Sequence, residues 1–257
     1  MTLDQDIIRV ALPVKGVRAL ITTRRGGFST GPWAAVDGTG GLNLGLGSGD
    51  DLEAVQRNRA LLQTLLPSAP AWLRQVHGTR VVDAEAPPDG AEADASTSVT
   101  PGCVCAVLIA DCLPVLVASR DGRGVGAAHA GWRGLAGGVI QNTVGALRAR
   151  LHRADTELVA YLGPAIGPAA FEVGPEVLTA MEQRLPHAAA AFVPTSQGKY
   201  RADLFALARM ALAQVGVVEV AGGGDCTVND PARFYSFRRD RVTGRQAALI
   251  WIARERQ

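Results

Sequence analysis

The sequence predicts a mixed α/β fold, on three observations. Short, apolar, β-rich runs fill 104–110, 115–118 and 125–129, as buried strands require. Longer segments repeat apolar residues at helical spacing. The two kinds alternate, yet Asp121-Gly122-Arg123-Gly124 marks a tight turn, so a mixed sheet fits better than an all-parallel one. With 257 residues the chain is long enough for one large domain or two small ones.

The elements follow in order. Residues 24–49 are rich in Gly and Thr and read as a long functional or irregular loop. Asp50 to Leu66 reads as a helix: Asp50 or Asp51 caps it, Val55, Leu61, Leu62 and Leu65 form its apolar stripe, and Pro67 stops it. Residues 86–100 form the most loop-like stretch and are expected to be exposed. Val104–Ala110, Val115–Ala118 and Val125–His129 are the strands of the central block. After Gly131 the pattern turns helical, with Leu135, Val139, Ile140, Val144, Leu147 and Leu151 on one side. Leu158–Leu162 and Val217–Val220 are further strands, and Glu176–Arg184 and Ala202–Val215 further helices.

If the strands around residues 121–124 pair, a four-residue loop sets His129 opposite Pro114, and a two-residue loop sets it opposite Leu116. Both partners have the parity of Cys112, so either register puts Cys112 and His129 on one face. The first leaves them a diagonal pair about 7–8 Å apart at Cα, a gap that one metal ion can bridge.

Composition excludes several functional classes. A hydrophobic fraction of 47% and a charged fraction of 19% are those of an ordinary globular protein. A net charge of +2 without a basic tract gives no reason to expect nucleic acid or an anionic membrane as partner. No apolar run approaches the roughly 20 residues of a membrane span, and Asp4 and Asp6 stand where a signal peptide needs positive charge. The four cysteines lack the spacing of a disulfide scaffold, so a reduced, cytoplasmic setting is expected.

Chemistry concentrates in a few residues. Of four histidines, His77 and His129 sit in Gly-flanked contexts, where backbone or ligand can approach closely, whereas His152 and His187 read as surface residues. Taken alone, His77 and His129 are as readily hydrogen-bonded buried imidazoles. Cys112 follows Asp111 at a strand end. It reads as a small buried hydrophobe, a thiolate metal ligand or a nucleophile. The adjacent carboxylate must find partners or stay near water. Cys103 and Cys105 share a face and read as packing. One sulfur and two imidazoles suit zinc and leave a fourth position open for water or substrate; the same set also suits copper. Gly131-Trp132-Arg133-Gly134 leads into a helix and offers either an anion site with Arg133 or a plain strand-to-helix turn. Arg238, Arg239 and Arg245 are either solvated surface or a phosphate clamp.

The motifs QVHG at 75–78, ADCLPV at 110–115, HAGWRG at 129–134, GPAIGP at 163–168 and SFRRD…TGR at 236–245 resemble the multicopper polyphenol oxidase, or laccase-domain, family. Its members are now generally described as purine nucleoside phosphorylases. The resemblance runs in order from about Thr22 to Arg245, and ADCLPV and HAGWRG are specific. It implies a single domain over 1–257, with mixed sheets packed together and helices outside. It implies His77, Cys112 and His129 as metal ligands, with phosphorolysis of adenosine, guanosine, inosine and methylthioadenosine, and deamination of adenosine. The implied partners are a purine nucleoside and phosphate, with Arg133, Arg238, Arg239 and Arg245, and more loosely Arg24 and Asn43, around them. Bacterial relatives have also been tied to quality control of peptidoglycan precursors. True laccase chemistry needs several coppers and many histidines, which a chain with four does not offer.

Overall fold

Two β-sheets lie face to face with helices on their outer sides in the computed structural model, which describes residues 3–86 and 92–254. In the first sheet Gln246–Ile252 runs antiparallel between Val17–Thr22 and Val104–Ile109; Ile7–Val10 extends one edge and Pro70–Ala71 the other. In the second, the hairpin Leu113–Ser119 and Val125–Ala130 is central. Leu158–Leu162 and Glu219–Gly222 flank it on one side, Ala95–Ser98 and Val81–Asp83 on the other. Both sheets mix parallel and antiparallel pairs, as the alternation of elements predicts.

Side-chain alternation divides the core into layers. Cys105 and Val107 belong to the inner layer with Ala248 and Ile250 of the first sheet and Leu116, Val125 and Ala127 of the second. Val104, Ala106 and Leu249 point the other way, into a cluster with Leu62 of helix α1 (Leu52–Gln63). The outer face of the second sheet, through Val115, Val117, Ala128 and Ala160, is covered by α2 (Trp132–Gly137), α3 (Val139–Arg150), α4 (Pro175–Glu182) and α5 (Leu204–Gln214). Asp51 caps α1 through the Glu53 N–H, and Asp203 caps α5 through those of Phe205 and Ala206, each satisfying donors a helix start leaves open.

The hairpin register is the one that a four-residue loop dictates. Pro114 pairs with His129, and pairing runs on to Leu113 and Ala130. Three expectations need correction. The single helix expected after Gly131 is two, because Gly138 adopts φ 97° and closes α2 before α3 begins; the apolar stripe continues across the break, with Leu135, Val139, Ile140, Val144 and Leu147 all buried. Within 86–100, Ala95–Ser98 is a fully buried strand packed against α3; residues 87–91 lie outside the described residues. The strand expected at 217–220 is displaced to Glu219–Gly222. The strands Ile7–Val10, Val17–Thr22 and Gln246–Ile252, and the short Arg25–Ser29 inside the expected loop, emerge only from the structure.

Candidate metal centre and its cleft

The chain crosses between the sheets near one end of the sandwich, and those crossings carry two of the three expected ligands. Cys112 lies between Val104–Ile109 of the first sheet and Leu113–Ser119 of the second; His77 lies between Pro70–Ala71 and Val81–Asp83. His129 is on the hairpin strand, one residue before its end. Together the three offer one nitrogen or sulfur atom each, all within 4.8 Å of one another. Cys112 Sγ is 3.7 Å from His77 Nε2, and the two imidazole centroids are 4.9 Å apart, edge to face.

Gly131 makes the convergence sterically feasible. A Cβ there would fall 2.8 Å from Cys112 Sγ and 3.2 Å from His77 Cδ2, so any side chain would push two ligands apart.

Asp94, fully buried, holds the centre from beneath. Its Oδ1 accepts His129 Nδ1–H at 2.8 Å and the His77 N–H at 2.9 Å; its Oδ2 accepts the N–H groups of Val76 and Gly78 at 3.1 and 2.7 Å. Its own carbonyl accepts the His129 N–H. The three successive amides wrap the carboxylate as a nest, which offsets the cost of the left-handed backbone at His77 (φ 61°). With Nδ1 committed to Asp94, Nε2 of His129 is the nitrogen free to bind a metal. Burial pushes the Asp94 carboxyl up, and His129 and the surrounding amides more than reverse this, so it is held ionised.

Cys112 follows Asp111, whose φ of 91° turns the chain out of its strand. Asp111 finds the partners it needs: Oδ1 accepts the Thr227 hydroxyl and Oδ2 the Arg238 N–H, both at 2.6 Å. The Gly-Pro-rich loop braces the same turn, Ile166 N–H donating to the Asp111 carbonyl and Gly163 N–H to that of Pro114. Burial raises the Cys112 thiol, but His129 and then His77 draw it well below its ordinary value. Burial lowers His129, while Cys112 and Asp94 raise it. These directions, Cys112 down and His129 up, favour a thiolate beside an imidazolium, a pair from which a cation would displace a proton.

This donor set fits zinc. Tetrahedral bonds of about 2.0–2.3 Å to nitrogen and sulfur place neighbouring donors about 3.3–3.7 Å apart; Cys112 and His77 have that spacing, and the three donors together lie within 4.8 Å. A copper ion would accept the same donors.

The three residues open into a cleft of about 920 Å³, which Arg133, Arg238 and Arg245 also line. Arg24, Asn43 and Arg239 do not line it. Arg239 grips the Asp240 carboxylate and the carbonyls of Thr227, Val228 and Phe234. Arg24 donates to the carbonyls of Ala34 and Pro231. Asn43 shapes the 43–48 loop through Ser48, Asp50 and Gly45. The side chains of all three are taken up in shaping the backbone. Sequence reasoning misses Asp94, which lies in the stretch expected to be an exposed loop, and Arg59, Trp72 and Phe171, which line the cleft. Nothing in their local pattern marks them.

An open three-ligand centre of one thiolate and two imidazoles, at the rim of a two-sheet sandwich, defines a candidate metalloenzyme. The family described as multi-copper polyphenol oxidoreductase laccase matches residues 18–253. A purine nucleoside phosphorylase of Pseudomonas aeruginosa is 49% identical over 237 residues, covering 92% of this chain and 93% of the relative. The purine nucleoside phosphorylase YfiH of Escherichia coli is 48% identical over 243 residues, covering 93% and 95%. The crystal structure of protein NMB0706 from Neisseria meningitidis matches with a TM-score of 0.87 at 47% identity, over 97% of this chain and all of that one. That of YlmD from Geobacillus stearothermophilus matches with a TM-score of 0.84 at 32% identity, over 95% and 94%. The chain belongs to the YfiH purine nucleoside phosphorylase family and is not a true laccase.

Proposed function

We propose that the protein is a zinc-dependent purine nucleoside phosphorylase acting on adenosine, inosine, guanosine and methylthioadenosine, and that it also deaminates adenosine. The observation that carries this reading is the convergence of His77, Cys112 and His129 at the base of an arginine-lined cleft, in a chain whose close relatives bear that enzyme's name. In phosphorolysis a phosphate oxygen bonds to C1′ of the ribose as the bond from C1′ to the purine breaks, and the departing base takes a proton. Trp72, Trp132 and Phe171 give the cleft aromatic walls against which a purine can lie. Arg133, Arg238 and Arg245 surround the reacting region with positive charge, drawing in phosphate and opposing its escape. In deamination, water adds at C6 of adenine and ammonia leaves. Zinc bound by the three ligands would supply a Lewis acid at that end of the cleft. Asp94 keeps His129 in the tautomer that presents Nε2, and Gly131 keeps the approach to the ligands clear.

Incubating purified protein with inosine or adenosine, with and without phosphate, tests the reading. Phosphate-dependent release of hypoxanthine from inosine is expected, with ammonia from adenosine. No turnover of either by metal-loaded protein would overturn it. Cys112→Ala should lose the metal, and full metal occupancy in that variant would refute the ligand assignment.

A further inference from the structure

Arg59 projects from α1 into the cleft that holds the metal ligands. Its Nε donates to the Leu44 carbonyl at 2.9 Å, and its guanidinium lies 4.3 Å above the Trp72 ring. These contacts lock the plane of the group and leave Nη1 and Nη2 without a hydrogen-bond or ion-pair partner among the described residues. Arg245 is held by the same short segment. Its N–H donates to Asn43 Oδ1, which also accepts the Gly45 N–H, and its carbonyl accepts the Leu44 N–H. Its Nη1 donates to the carbonyls of Thr243 and Gly244, and Nε and Nη2 have no partner among the described residues. Both guanidinium groups are partly buried.

A cation taken out of water normally sits beside a carboxylate, because burying it alone is costly. Here none of the described carboxylates lies within ion-pair distance of either arginine. Among the described residues Asp111 is the only acidic residue lining the cleft; its oxygens accept from the Thr227 hydroxyl and the Arg238 N–H, and its charge only partly offsets the desolvation of Arg245. Burial lowers Arg59 to about 10, so an anion beside it would restore what desolvation removes. Of the other cleft arginines, Arg238 resembles Arg245 in spending Nη1 on two carbonyls, those of Ala170 and Glu172, but among the described residues it makes no hydrogen bond to the 43–45 segment that holds Arg59 and Arg245, and Arg74 is paired with Glu92. Arg133 and Arg241 are exposed, where water screens their charge.

We infer that Arg59 and Arg245 together form the seat of the tetrahedral oxyanion, which, given the phosphorylase reading, is the phosphate that attacks the ribose. Two fixed guanidinium edges offer donors at set angles to different oxygens of one anion, and the 43–45 segment keeps them in register.

The test is calorimetric titration of inorganic phosphate into metal-loaded wild type, Arg59→Met, Arg245→Met and Arg57→Met. Removing either seat residue should weaken phosphate binding about tenfold to a hundredfold. Arg57→Met should leave it unchanged, since Arg57 covers the Phe28 ring and does not line the cleft. A measurement on wild type alone guards against variants that fail to fold: phosphate should protect Arg59 and Arg245 from phenylglyoxal, read by peptide mass spectrometry. Wild-type affinity in both variants, or no protection of either arginine, overturns the assignment. Protection in an enzyme that releases no hypoxanthine would retain the anion seat and discard the phosphorylase reading.

Discussion

The Asp94 carboxylate accepts one imidazole N–H and three amide N–H groups, and so fixes two of the candidate metal ligands at once. Asp94→Asn puts an NH₂ group where an acceptor is needed, against either the amide nest or His129. Metal affinity should fall about tenfold to a hundredfold, the usual effect of removing a ligand's hydrogen-bond partner, as measured by competition with a chelator. Wild-type affinity would show that the ligands hold their places unaided. At this scale the sequence discloses three residues that the fold brings together and hides what supports them. Gly-flanked His77 and His129, and Cys112 beside a carboxylate, are unusual enough to notice. Asp94 is one acidic residue among several in 86–100, and its burial depends on partners drawn from residues 76–78 and 129.

Gly138 shows how one backbone angle divides an element. Its φ of 97° lets its N–H reach both the Gly134 and Leu135 carbonyls, a helix ending that residues with a side chain resist. Gly138→Ala should destabilise the protein by about 1–2 kcal/mol, the cost of left-handed backbone for an L-residue, read as a lower urea midpoint. An unchanged or raised midpoint would mean that α2 and α3 can fuse without penalty. Elements legible in the sequence share a strong period or a definite cap: α1 with Asp51, α5 with its apolar face, and the hairpin with its Asp-Gly turn. The missed ones have physical reasons. Ala95–Ser98 reads ASTS, without any apolar signal, and is a strand because its neighbours bury it. Val17–Thr22 and Gln246–Ile252 are short apolar runs whose strand pairing joins opposite ends of the chain; periodicity alone cannot tell such runs from buried helix.

Across the whole molecule, Glu85 ties the edge of the second sheet to α3. Its Oε1 accepts from the Ser98 hydroxyl and the N–H groups of Val99 and Thr100, and its Oε2 faces Arg150 at 2.8 Å. Burial raises its carboxyl, but Arg150 and these donors hold it down at about 2, against an ordinary 4.5. A depressed carboxyl stabilises the fold fully above its ordinary value, and the contribution is lost as pH falls from about 4.5 to about 2. With the side chain 21% exposed, about 1–2 kcal/mol is expected after screening. Urea midpoints of wild type should therefore drop more steeply over that interval than those of Glu85→Gln. Parallel curves would remove Glu85 from the acid response.

The sandwich itself sets a dimension for the chemistry. His129 stands on the second sheet, whereas Arg245 leads into the first and Arg59 rides on the helix covering it. Between the two sheets lies a filling built partly of alanines, among them Ala118, Ala127 and Ala248, which lets them approach closely. Its thickness acts as a caliper, fixing how far the guanidinium groups stand from the candidate metal ligands. A methyl group added deep in that filling, remote from every substrate contact, would widen the jaws and alter which molecules span them.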